Sequence, residues 1–374
     1  MINEQKAKIQ EEAFNALKDT DFNGAVLIAT GTGKAKLIID IIRYLQPKSV
    51  LYLCDSKENR DKSFPDQILQ WGEPWMFEVT DRKCYKTAYK YVDKTYDLLI
   101  ADEADFALSP QYSKVFFKNN FKHKVLLTGT YEDRKLPLLR KIVPLVYVKN
   151  AKEAEKAGAI NKSHYYFVSY KLTNLENKRY LNYNDEFKRL LNLPDQDRYK
   201  YRIETLSRQR SIFLNNLDSS VQLTRDLIDN LLTVSTNKVL VFAGCTEQAD
   251  RLSKYSYHTK SKENYLEAFN NGDIREFVVV GKIDRGVNLK GVNNVIFMMP
   301  TRSSTKASQR VGRAKRLGKD DISHIFFLIP YFRKRFGGEI VPTVVQARIF
   351  ESSKDLDLRF LKRINYDTEK RVFT

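Results

Sequence analysis

An apolar run, Ala25-Val26-Leu27-Ile28, leads directly into Ala29-Thr30-Gly31-Thr32-Gly33-Lys34, and Leu37, Ile38, Ile39, Ile41 and Ile42 follow at helical intervals. Strand, glycine turn and helix in that order specify an α/β chain with a parallel sheet, and put the turn where a phosphate-binding loop sits. Gly31 and Gly33 allow backbone conformations in which successive N–H groups point at one anion. Lys34 can then reach the outer phosphates, and the helix N-terminus adds partial positive charge. Thr30, Gly31, Thr32, Gly33, Lys34 and Ala35 are therefore the candidate nucleotide-binding residues. Ala35 stands where such loops carry a Thr or Ser whose hydroxyl binds Mg²⁺, and Ile28 stands at the loop's usual first glycine. The competing reading is a plain glycine turn between a strand and a helix.

Charge suggests what such a loop would serve. Lys and Arg number 64 against 46 Asp and Glu, a net charge of +18, which favours nucleic acid over a small-molecule substrate. Cys54, Cys84 and Cys245 lie far apart without metal-type spacing, pointing to a reducing cytoplasm with neither disulfides nor zinc. No apolar run approaches the ~18–20 residues of a membrane span, and the charged N-terminus does not read as a signal peptide.

Along the chain, the helix around Ile9-Gln10-Glu11 offers Gln10, whose amide can pair with an adenine edge or simply face solvent. The strand Val50–Cys54 ends in Asp55–Arg60, read as a polar loop on the sheet edge where open α/β folds bind ligands. Tyr96–Ala101 delivers Asp102-Glu103-Ala104-Asp105. Adjacent carboxylates at the end of an apolar strand are costly unless they serve a cation, so Asp102 is the candidate Mg²⁺ ligand and Glu103 the group that orients or deprotonates water. Val125–Leu127 ends in Thr128-Gly129-Thr130, whose hydroxyls can meet the carboxylates or a phosphate. Residues 1–149 then form a first domain. Residues 150–215 read as a connector and helical insertion, 216–332 as a second α/β domain, and 333–374 as a C-terminal extension. The insertion's Lys, Arg and Tyr residues could grip a nucleic-acid backbone or form an ordinary solvated face over aromatic core. In the second domain, Asp284–Asn288 and Gln309-Arg310-Val311-Gly312-Arg313-Ala314-Lys315-Arg316 stand out. Gln309, Arg313 and Arg316 fall at i, i+4 and i+7, a set suited to the charge of a phosphoryl-transfer transition state.

Taken together these stretches resemble the superfamily-two helicases, in the family's order, from about Gln10 to Leu328. Gln10 looks like the glutamine motif, Ala29–Lys34 motif I, Asp102–Asp105 motif II, Thr128–Thr130 motif III, Arg285-Gly286-Val287-Asn288 motif V and Gln309–Arg316 motif VI. The resemblance implies two RecA-like parallel-sheet domains with a helical insertion between them and ATP in the cleft between the domains. Lys34 would bind phosphates, Asp102 the metal, and Glu103 would be the catalytic carboxylate. Thr128 and Thr130 would couple nucleotide state to closure, and Gly286 would line the nucleotide. Gln309 would contact the γ-phosphate side, with Arg313 and Arg316 as arginine fingers.

The letters DEAD do not make this a DEAD-box RNA helicase. That group is marked by His-Arg-x-Gly-Arg and Ser-Ala-Thr, where this chain has Gln309 and Thr-Gly-Thr. It is closer to phage-encoded and restriction-type DNA translocases. The expectation is an ATP- and Mg²⁺-dependent helicase or translocase of the cytoplasm, acting on DNA rather than RNA and gripping mainly the phosphate backbone from loops such as Asp55–Arg60 and Asp284–Lys290. Because Ala35 removes a hydroxyl and Asn288 replaces the usual motif V aspartate, the alternative is an ATP-switched nucleic-acid clamp with weak hydrolysis, or else an RNA helicase. No signal for an oligomeric state is present.

Overall fold

The computed structural model describes residues 4–374 except 131–132, 195, 262, 282–288, 302–303, 313–320, 336 and 354–360. The chain divides into two compact units. The first holds residues up to Lys162 together with the helix Ser304–Val311, and the second begins at Ser163.

The first unit is built on a six-stranded parallel sheet: β1 (Asn23–Ile28), β2 (Val50–Cys54), β3 (Thr80–Cys84), β4 (Thr95–Ala101), β5 (Asn120–Thr128) and β6 (Leu145–Lys149), in the order β3-β2-β4-β5-β1-β6. β1 and β2 are almost wholly apolar because both faces of a parallel sheet are covered. Val26 and Ile28 join one core with α1 (Glu4–Lys18) and α2 (Lys34–Leu45), while Ala25, on the opposite side of the pleat, joins a second core with Leu99, Leu126 and Val115. The order sets β5 between β4 and β1, so the loops leaving the C-terminal ends of these three strands are neighbours. The parallel strand order thus brings residues 29–34, 102–105 and 128–130 to one sheet edge.

Two features of this unit depart from the expectation. β3, Thr-Asp-Arg-Lys-Cys, carries no apolar signal because it is an edge strand with three half-exposed residues. Asp55–Arg60 is a loop only at Asp55 and Ser56. From Lys57 the chain is helical, passes through a π-turn at Asn59–Ser63, and continues as α3 (Phe64–Trp71). That turn buries the polar Asn59 while Lys57 and Glu58 stay exposed, so the segment is mostly helix and not the loop expected.

The second unit has its own sheet: β7 (Ser163–Lys171), β8 (Val239–Phe242), β9 (Ser256–Tyr257), β10 (Glu276–Val279), β11 (Asn294–Phe297), β12 (Ser323–Arg333), β13 (Glu339–Ile340), β14 (Leu361–Asp367) and β15 (Val372–Phe373). The order is β15-β14-β7-β12-β11-β8-β10-β9, with β13 beside β12, and only the β12/β13 and β14/β15 pairs are antiparallel. The division at 215 and 333 therefore does not follow the sheet. β7, read as part of a connector, pairs in parallel with β12 over nine residues, and β14, read as part of an extension, pairs with β7. Helices α4 (Asn174–Leu191), α5 (Gln196–Leu214) and α6 (Asp218–Leu231) are the expected helical stretch. Its aromatic residues divide between the two readings: Tyr180 is core, Arg210 lies over Phe187 at 4.2 Å, and Tyr201 is 83% exposed. The remaining helices named here are α7 (Ser304–Val311) and α8 (Thr343–Ser353). Among the described residues no helix is long and apolar enough to cross a membrane.

Candidate nucleotide site

The loop between β1 and α2 holds the conformation its glycines permit. Gly31 has φ +95° and Gly33 φ +94°, and Gly33 is the N-cap of α2 with no side-chain hydrogen bond capping the first turn. An uncapped helix start leaves backbone N–H groups directed outward from the first turn, the arrangement that binds phosphate oxygens. Thr32 is buried, and its Oγ1 donates to the Ala29 carbonyl at 2.7 Å. Gln10 reaches this loop from α1: its Nε2 donates to the Thr32 carbonyl at 2.8 Å, and a Cβ on Gly33 would collide with the same nitrogen. Gly129, after β5, is equally close-fitting, since a Cβ there would lie 3.0 Å from Thr30 Oγ1 and 3.2 Å from Lys34 Nζ.

The carboxylates face this loop. Lys34 Nζ lies 3.4 Å from Glu103 Oε1, with both side chains largely shielded from water. Glu103 takes a left-handed backbone, φ +50° and ψ +49°, a conformation costing a non-glycine residue about 1–2 kcal/mol that clusters at functional sites. Asp102 accepts the Glu103 N–H at Oδ1 (3.0 Å), and Asn59 Nδ2 (3.2 Å) and the Tyr52 hydroxyl (3.1 Å) at Oδ2. Burial pushes the Asp102 carboxyl up from the ordinary range and the Glu103 charge adds to this, while Lys34, Asn59 and Tyr52 pull the other way. Tyr85, fully buried, donates to the Asp102 carbonyl at 2.7 Å. Thr128 Oγ1 donates to the Thr130 carbonyl at 2.6 Å and lies 3.3 Å from Asp105 Oδ1, while Lys135 Nζ donates to the Asp105 carbonyl at 2.8 Å. Among the described residues the buried Thr130 hydroxyl has no hydrogen-bond partner.

From α7, Gln309 is 3% exposed, and its Nε2 lies 3.5 Å from Glu103 Oε2, at the outer limit of a hydrogen bond. The structure thus gathers Gln10, Thr30–Ala35, Asp102, Glu103, Thr128, Thr130 and Gln309. Gly286, Arg313 and Arg316 lie outside the described residues. Sequence reasoning missed Tyr52, Asn59, Tyr85 and Lys135. Tyr52 sits inside a strand buried on both faces, where a hydroxyl needs a partner, whereas nothing in Lys-Glu-Asn-Arg-Asp-Lys marks Asn59 as buried.

These residues fit magnesium and a nucleoside triphosphate. The carboxylate of Asp102 is preset by three donors, a side chain at Gly33 or Gly129 would crowd the site, and the lysine stands beside the open first turn of α2. At position 35 the chain supplies no hydroxyl, which leaves one more Mg²⁺ position to water, an ordinary situation for this ion.

Among known proteins, the family described as Helicase conserved C-terminal domain matches residues 222–318. A DNA 3'-5' translocase, XPB2 of Sulfurisphaera tokodaii, is 27% identical over 349 residues, covering 82% of this chain and 77% of that protein. The ATP-dependent type ISP restriction-modification enzyme LlaBIII bound to DNA superposes with a TM-score of 0.61 at 14% identity, over 96% of this chain and 31% of that one. The Pyrococcus furiosus Hef helicase domain superposes with a TM-score of 0.54 at 12% identity, over 86% of this chain and 94% of that domain. The two structural likenesses speak for the fold, two parallel α/β sheets of the RecA-like kind. The family match over residues 222–318, the relative and the fold together support a superfamily-two helicase or translocase.

Proposed function

We propose that the chain is a DNA translocase or helicase of the phage or restriction kind, working in the cytoplasm, which hydrolyses ATP at the loop between β1 and α2. The observation that carries this reading is the convergence of Lys34, Asp102 and Glu103 within one sheet edge, with Lys34 and Glu103 3.4 Å apart. When bound, MgATP supplies the phosphoryl group to be transferred to water. The amides of residues 31–35 and Lys34 would bind its phosphates, and Asp102 would hold the metal. Glu103 orients the attacking water and takes its proton, and Gln309, beside Glu103, fixes that carboxylate. Arg313, Arg316 and Gly286 lie outside the described residues; the resemblance gives the two arginines the role of fingers on the developing charge and Gly286 a place in nucleotide binding. Gln10 ties adenine recognition to the loop through Thr32. Thr128, beside Asp105, and Thr130 couple nucleotide state to domain closure.

Without nucleotide, Lys34 and Glu103 neutralise each other, so phosphate binding must release the carboxylate for its role in hydrolysis. This arrangement links binding to activation of the base. Nucleic acid as partner is supported by the net charge of +18, and DNA as the polymer by the DNA-directed activity in the name of the XPB2 relative. Displacement of a triplex-forming third strand from duplex DNA tests the reading. ATP-dependent displacement that disappears in Lys34→Ala is expected, and an inert wild type with duplex, forked and single-stranded DNA alike would exclude a DNA motor. The missing hydroxyl at Ala35 favours one second reading, a clamp that binds DNA with ATP but turns over slowly.

A further inference from the structure

Asp102 is held by a residue whose burial the local sequence does not foretell. Its Oδ2 accepts from both Asn59 Nδ2 at 3.2 Å and the Tyr52 hydroxyl at 3.1 Å, and the same hydroxyl lies 3.3 Å from Asn59 Oδ1. Tyr52 is 1% exposed, and its ring stacks on Phe64 at 3.8 Å with the planes 5° apart, so its hydroxyl cannot swing away. Asn59 is 8% exposed although it sits among five charged neighbours. What delivers it is the π-turn: the Phe64 N–H bonds back to the Asn59 carbonyl, an i→i+5 link that makes room for one extra residue in the turn. Ser56 Oγ accepts from the Asn59 N–H at 3.2 Å and pins the start of that turn. Isolated π-turns are less stable than α-helix and persist where a site needs the side chain they redirect. Here that side chain meets the candidate metal ligand.

We infer that Asn59, with Tyr52, is a positioning residue for the divalent cation that Asp102 holds. The inference rests on the reading of Asp102 as the Mg²⁺ ligand. Two donors on Oδ2 and the Glu103 N–H on Oδ1 fix the plane of the carboxylate, so its remaining lone pairs keep one direction before any ion arrives. An outer donor of this kind typically changes metal affinity by about 10- to 100-fold. The effect weighs more in this chain than in one with threonine at position 35, because Asp102 provides a larger share of the protein's grip on the ion. Asn59 and Tyr52 touch neither nucleotide nor metal in this scheme; they act through Asp102.

The test is Mn²⁺ binding to the full chain with ADP, followed by electron paramagnetic resonance, for wild type, Asn59→Ala and Tyr52→Phe. Each variant is expected to lose about tenfold in Mn²⁺ affinity, while affinity for ADP in excess EDTA stays within twofold of wild type and the thermal midpoint moves little. ATP turnover should then recover at high Mg²⁺, a rise in the metal requirement without a matching fall in kcat. Tyr52→Phe keeps the stack on Phe64, so it decides the matter if Asn59→Ala does not fold. Unchanged Mn²⁺ affinity in a folded variant overturns the inference while leaving the nucleotide site standing. A wild type that binds no Mn²⁺ with ADP overturns the reading of Asp102, and the inference with it.

Discussion

Replacing Gly33 with alanine probes the loop at its tightest point. Gly33 sits at φ +94° and ψ +40°, where an L side chain is strained, and its new Cβ would run into Gln10 Nε2. The backbone strain costs about 1–2 kcal/mol. Driving Gln10 aside also removes its 2.8 Å bond to the Thr32 carbonyl, worth a net ~0.5–1.5 kcal/mol. In the free protein the loop relaxes and escapes most of this, so the cost falls on nucleotide binding, which requires the strained shape. A total of about 2–3 kcal/mol corresponds to about a 30- to 150-fold loss of affinity, read by titration with a fluorescent ATP analogue. The thermal midpoint should shift by less than about 3 °C. Gln10→Ala supplies the control: it forfeits the hydrogen bond but also removes the obstacle. The double variant should therefore bind about as weakly as Gly33→Ala alone. Strictly additive losses, or no loss on Gly33→Ala, would refute the claimed packing of Gln10 against the loop.

Glu103→Gln should cut hydrolysis by about 10²–10⁴-fold and yet tighten ATP binding, because Lys34 is freed from its ion pair; weaker binding in a filter assay would contradict that pairing. Ala35→Thr, at a half-exposed position, should raise kcat by about tenfold, ~1.4 kcal/mol of barrier; an unchanged kcat would mean water completes the metal shell equally well. Affinity for single-stranded DNA should fall with added salt, the slope of log K against log salt being about −0.7 per phosphate contacted, and a flat plot would count against backbone recognition. Asp226 is held below its ordinary range chiefly by the Arg371 side chain, with Tyr366 also donating. Its folded value being the lower one, this lock contributes above the unfolded value near 3.9 and is lost as pH falls below about 4. Intrinsic-rate-corrected hydrogen exchange in β14 and β15 should accelerate between pH 6 and pH 3, and Arg371→Ala should abolish the difference.

Much of the first unit was legible in the sequence because its chemistry and its packing coincide. β1 and β2 are apolar on both faces, and the glycines at 31 and 33 stand where positive φ is required, so the motif and the fold give the same signal. Legibility fails where pairing is remote or edge-like. β7 was recognisable as a strand, but its partner β12 lies far along the chain, and parallel register leaves no local trace of that pairing. β3 and β14 carry little apolar signal because most of their residues are only partly buried or exposed. Asp55–Arg60 misled for a different reason: its charges describe the outside of a helix, while the π-turn carries Asn59 inside. The left-handed backbone at Glu103 is likewise invisible, since strain at a site is imposed by the surroundings and not by the residue.

The interpretation turns on whether a triphosphate at Lys34 drives work on DNA. Steady-state ATP hydrolysis by the full chain, with and without saturating single-stranded DNA, measures this most directly when run beside Lys34→Ala. Stimulation by DNA in the wild type, and rates at the uncatalysed background in the variant, are the expected pair of results. Hydrolysis that ignores DNA, or that survives the loss of the Lys34 ammonium group, would contradict it.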